Sequence, residues 1–112
     1  MADIKFPFGD AETLVLSATG TQALEISDNV TIVDGVTTQA TGNRTLDLTI
    51  DPETSIGALL FVKSKTAGTE TTIPGANMSG PTITGVAGKT KCWSFVYDGV
   101  SFKQMALNVQ LD

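Results

Sequence analysis

Apolar residues recur at every second position through most of the chain, in short blocks separated by clusters of Gly, Asp, Asn and Pro. That period belongs to half-buried β-strands broken by turns. Leu14, Leu16 and Ala18 share one side of a first block, Leu24 and Ile26 of a second, and Val30 and Ile32 follow. The Asp34-Gly35 pair then reads as a two-residue hairpin loop, because such loops demand positive φ. Leu46-Asp47-Leu48-Thr49-Ile50 alternates cleanly and ends at Pro52, which cannot donate to a ladder. Ala58-Leu59-Leu60-Phe61-Val62 is apolar on both parities, the pattern of a strand covered on both faces. Weaker strands are predicted over residues 69–73 and 81–86, with residues 74–80 as a long surface loop.

Residues 91–97 and the stretch from Val100 onward are predicted to form a hairpin closed by Asp98-Gly99, setting Tyr97 opposite Val100, Phe95 opposite Phe102 and Trp93 opposite Gln104. Its aromatic side is Trp93, Phe95, Tyr97 and Phe102. Beyond it the parity of the apolar residues flips to Leu107, Val109 and Leu111, as a bulge or a strand leaving for another sheet or subunit would require. The expectation is all-β: about eight or nine short antiparallel strands in a single β-sandwich of jelly-roll or Ig-like type over residues 11–112, after an extended arm of residues 1–10.

Composition sharpens this picture. The 17 Thr and 7 Ser among 112 residues fill the non-apolar positions with short hydroxyls, and β-branched Thr suits a pleated surface. Net charge is −5, the wrong sign for neutralising a nucleic-acid backbone. Residues 1–56 carry nine acidic and two basic side chains, whereas residues 57–112 carry three and five, an asymmetry that fits either head-to-tail attraction between copies or a solvated surface. No apolar run reaches signal-peptide or membrane-spanning length, so synthesis in a cytoplasm and no membrane partner are expected.

Candidate chemistry is sparse. The chain has no His, and its one Cys, Cys92, has no imidazole to activate it and reads as a small hydrophobe. Gly88-Lys89-Thr90 has the ending of a phosphate loop, but the required first Gly falls at Ile83 and a strand follows, so a tight turn is expected. Asp47, Asp51 and Glu53 form the best acidic cluster, without calcium-loop spacing. No enzymatic activity, metal or cofactor is expected. Trp93 and Tyr97 offer an alternative ligand face for stacking a sugar, against the reading in which they fill the core. Phe6, Pro7 and Phe8 make the N-terminal arm apolar and, with Leu107, Val109 and Leu111, are the candidate assembly contacts, acting by strand addition.

The run Thr84-Gly85-Val86-Ala87-Gly88-Lys89-Thr90, then Ser94-Phe95-Val96-Tyr97-Asp98-Gly99 and Phe102, together with Gly42-Asn43-Arg44-Thr45-Leu46-Asp47-Leu48, resembles small β-rich virion proteins of tailed bacteriophages. Capsid decoration proteins and head- or tail-fibre jelly-roll modules, including those of crAss-like phages, share this texture. The resemblance implies a virion location, homotrimers, contact with the major capsid protein or another virion protein, and no catalytic residues. Its function would be to decorate or stabilise the shell. The alternative is a receptor- or carbohydrate-binding fibre tip.

Overall fold

The computed structural model describes residues 12–106 and 108–112. They are all-β, with no helix among the described residues. The strands are β1 (Glu12–Val15), β2 (Gly20–Ile26), β3 (Val30–Ala40), β4 (Arg44–Ile50), β5 (Leu59–Thr66), β6 (Thr71–Pro74), β7 (Met78–Ser79), β8 (Ile83–Thr84), β9 (Thr90–Tyr97), β10 (Phe102–Gln104) and β11 (Val109–Gln110). Sheet A has the order β1-β3-β5-β9-β10-β7, with β11 also on β9; sheet B has the order β2-β4-β6-β8.

The chain changes sheet at every step from β1 to β9, and successive visits to a sheet lie side by side except for β7, which lies beyond β10 at the edge of sheet A. β1, β3 and β5 are mutually parallel in sheet A, as are β2, β4 and β6 in sheet B. The polypeptide is thus wound as a flat coil that crosses from one sheet to the other twice per turn. The winding stops where β9 runs antiparallel to β5 and β8 antiparallel to β6.

The antiparallel expectation is therefore corrected: five of the nine strand pairings are parallel. Alternation has the same period in both kinds of ladder, so the pattern carried the strands but not their direction. The expected hairpin at Asp34-Gly35 does not form, since β3 runs straight through it. Asp34 instead accepts hydrogen bonds from Val36 N (2.8 Å) and Thr37 N (3.1 Å) on its own strand. Gly35 is there for close approach. A Cβ at this position would stand 2.7 Å from Lys63 O and 2.8 Å from Arg44 Nη2.

The Asp98-Gly99 turn does close a hairpin, but the register is Tyr97 with Phe102 and Phe95 with Gln104. The slip is even, so every side chain keeps its face. Asp98 fixes the wider loop by accepting from Val100 N (2.9 Å) and Ser101 N (3.0 Å), and Gly99 takes φ +98. Residues 74–80 are not a free loop: Met78 pairs with Phe102, and Asn77, at φ 63, donates Nδ2 to Leu48 O at 2.7 Å. The parity flip after Phe102 arises because β10 ends at Gln104 and the chain rejoins β9 lower down, with Val109 opposite Cys92.

The core lies between the sheets. Leu24, Ile26, Leu46, Leu48 and Ile83 come from sheet B, and Val33, Leu60, Val62, Trp93, Phe95 and Phe102 from sheet A. One charged residue is buried with them. Arg44 is fully buried at the start of β4, on the same parity as Leu46 and Leu48. Its Nη1 donates to Ser17 O (3.1 Å) and Thr38 O (3.0 Å), and its Nη2 to Gly35 O (3.0 Å), Ser64 Oγ (2.8 Å) and Lys65 O (3.3 Å). One planar side chain thereby ties together the turn after β1, the bulged stretch of β3 and the end of β5. Ser64 extends the network to Thr72 Oγ1 at 3.1 Å, on β6.

Candidate interaction surfaces

Trp93 and Tyr97 do not make a shared ligand face. Both lie on the same side of β9, but sheet B covers that side, and Trp93 is 3% exposed within the core. Its Nε1 has no hydrogen-bond partner among the described residues. Tyr97 is half-buried at the margin of the core, its ring tilted by 33° on that of Phe102 with centroids 5.2 Å apart, and its hydroxyl donates to Gly99 O at 3.0 Å. An enclosed indole offers no free surface for a sugar, which corrects the alternative reading at Trp93.

The acidic cluster of the sequence serves the backbone. Asp47 Oδ1 accepts from Ala76 N (2.9 Å) and Asp51 Oδ1 from Glu53 N (2.8 Å). Among the described residues no group of three or more His, Cys, Asp or Glu side chains is placed to hold a metal ion. Cys92 is half-buried on the outer side of β9, where burial pushes its thiol up despite the opposing charge of Lys63. Gly88 (φ +72) and Lys89 form a tight turn, with Gly88 N donating to Thr66 O (2.8 Å) and Lys89 N to Val86 O (2.9 Å).

The candidate assembly contacts divide. Phe6, Pro7, Phe8 and Leu107 lie outside the described residues. Val109 and Leu111 are 58% and 59% exposed, with Val109 on the outer side of sheet A. Leu111 N donates to Thr90 O (2.8 Å), so the C-terminal segment is already a strand of this chain's own sheet.

The sheet edges carry more than the sequence signalled. Among the described strands, β1 pairs only with β3, and β2 only with β4. These two edges belong to the first turn of the coil, and β7 and β8 end the sheets on the other side. β2 keeps one uninterrupted register with β4 over seven residues, so its outer edge is long and regular. Such an edge is a template for another strand unless charge discourages it. Glu12, Glu25 and Asp28 gather here: burial first, then the Asp28 hydrogen bond and the neighbouring negative charges, hold the Glu12 carboxyl above its ordinary range.

A second exposed feature is the tip formed by Ile56 and Val100, 76% and 77% exposed. Ile56 lies against Gly99, where a Cβ would stand 3.2 Å from its Cδ1. The two loops are tied by Gly57 N to Tyr97 O at 2.8 Å.

Comparison with protein families, with curated proteins and with solved structures finds no match to this chain.

Proposed function

We propose that this chain is a non-enzymatic structural part of a bacteriophage particle, decorating or stabilising the shell through contacts with its own copies and with a shell protein. The observation that carries the reading is the open end of the coil, where seven-residue β2 and its neighbour β1 are each paired on one side only among the described strands. An extended segment is captured at such an edge by main-chain hydrogen bonds, with alternate side chains giving specificity. The winding supports the same use, because parallel turns stack on one another and a further strand in each sheet would simply continue them. The resemblance to small phage virion proteins supplies the biological setting.

The test is rebinding. Purified chain is added to particles from a phage deleted for it, and bound copies are counted after sedimentation. Saturable binding is expected, with Leu24→Pro, which breaks the β2 ladder, and deletion of residues 1–10 each reducing it at least tenfold. Absence of saturable binding to such particles refutes the reading.

A further inference from the structure

The outer face of sheet A carries an apolar patch on β3 and β5, bordered by Thr13, Ser94, Asp34 and Lys63, and nothing among the described residues forms a third layer over it. Alternation turns Leu60 and Val62 of β5 into the core, at 0% exposure, and Leu59 and Phe61 outward, where both are half-buried. Ile32 stands beside Phe61 in the ladder. One row further along, Val15, Asp34, Lys63 and Cys92 lie side by side on β1, β3, β5 and β9. Val15 is 57% exposed. Asp34 and Lys63 are cross-strand neighbours in one copy, where the Lys63 charge helps to lower the Asp34 carboxyl, although the only ion pair within 4.0 Å among described residues is Lys103 with Asp98.

We propose that this face packs against the same face of a second copy, about a two-fold axis that runs along the strands between β3 and β5. The order of side chains across the sheet is self-complementary under that operation. Because the axis exchanges β3 with β5 and β1 with β9 while keeping each row level, Asp34 meets the other copy's Lys63 and Ile32 meets its Phe61. By the same operation Val15 meets its Cys92. An isologous contact requires this reciprocity, and here it pairs opposite charges and buries apolar residues against each other. Four strands at about 4.8 Å spacing and three rows of outward side chains give a face of roughly 19 by 17 Å, about 320 Å² on each copy, so the contact is of the weak, transient kind. The dimer is accordingly expected to dissociate on the order of 100 micromolar or above, and the concentration series extends past it. The inference deepens the assembly reading and names the self-contact, but the dimer stands or falls on its own in solution.

The experiment is sedimentation equilibrium of the purified full chain across a concentration series, joined to disulfide trapping. Val15 and Cys92 are three strands apart in one copy, about 14 Å, too far for an internal bond. Val15→Cys is expected to give covalent dimers under mild oxidation, with Val86→Cys as a control that gives at least tenfold less. Phe61→Lys and Lys63→Glu, both outward substitutions that leave the circular dichroism unchanged, are expected to raise the dissociation constant at least tenfold. A monomer at every concentration overturns the proposal. So does a trimer, or a dimer that Val15→Cys does not trap. A trapped dimer that never reaches particles leaves this inference standing and removes the assembly reading.

Discussion

Replacing Arg44 by Met tests the packing argument where it is most exposed. The guanidinium donates to four carbonyl oxygens and one hydroxyl, with no carboxylate among its hydrogen-bond partners. Burial lowers the Arg44 pKa, and Asp34 opposes that shift only from a distance. Removing the donors leaves buried acceptors unpaired, at about 1–3 kcal/mol for each one that water cannot reach. The apolar isostere recovers part of the cost of burying a charge. The balance is a loss of about 3–5 kcal/mol, against a total of about 5–15 kcal/mol for an ordinary domain. Urea unfolding, followed by circular dichroism and by Trp93 emission, is expected to show the midpoint falling with an unchanged slope. In a thermal scan the loss corresponds to roughly 4 °C for each kcal/mol. Arg44→Lys should fall between, because one ammonium cannot span acceptors held by both guanidinium nitrogens. A Met variant within about 1 kcal/mol of the parent would refute the argument, since its acceptors would then be satisfied some other way.

Further outcomes follow from the same geometry. Gly35→Ala places a Cβ against Lys63 O and Arg44 Nη2, and should destabilise by about 1–3 kcal/mol or more in urea titration; a neutral result would mean that β3 can move aside. Trp93 emission should be blue-shifted, shielded from iodide and insensitive to added sugars, whereas quenching by a sugar would restore the ligand face. Cys92 should react with a maleimide at neutral pH more slowly than free cysteine and reach the free rate in urea, because burial holds its thiol protonated; an equal native rate would contradict that. Asp34 has its carboxyl held below the usual range by the Thr37 hydroxyl and then by the Val36 and Thr37 amides. Its contribution is therefore present above the ordinary carboxylate value and lost as pH falls through the lowered one. Asp34→Asn should flatten the loss of stability on acidification below the ordinary carboxylate value, and an unchanged acid profile would remove that assignment.

The parts of this structure legible in the sequence are those that depend on period alone. The alternation of Leu46, Leu48 and Ile50 and of Trp93, Phe95 and Phe102 assigned those side chains to one side of a strand, and the core is built from them with Ile50 at its margin. Strand direction was not legible, because parallel and antiparallel ladders share the period and only the connections distinguish them. Asp34-Gly35 shows why turn dipeptides mislead: the glycine satisfies a close approach from Arg44, a residue nine positions away. A signal for Arg44 was nonetheless present. It shares parity with Leu46 and Leu48, as Ser64 does with Leu60 and Val62, so the alternation already placed a cation and a hydroxyl inward. Exposed Val109 and Leu111 were legible as apolar, but their pairing with this chain's own β9 depends on a contact distant in sequence.

The central claim is that the chain is a structural part of a phage particle. Quantitative mass spectrometry of purified particles whose genome encodes it compares its copy number with that of the major shell protein. Copies in fixed proportion to the shell protein, retained through density-gradient purification, are the expected result. Its absence from particles made by cells that express it would contradict the account.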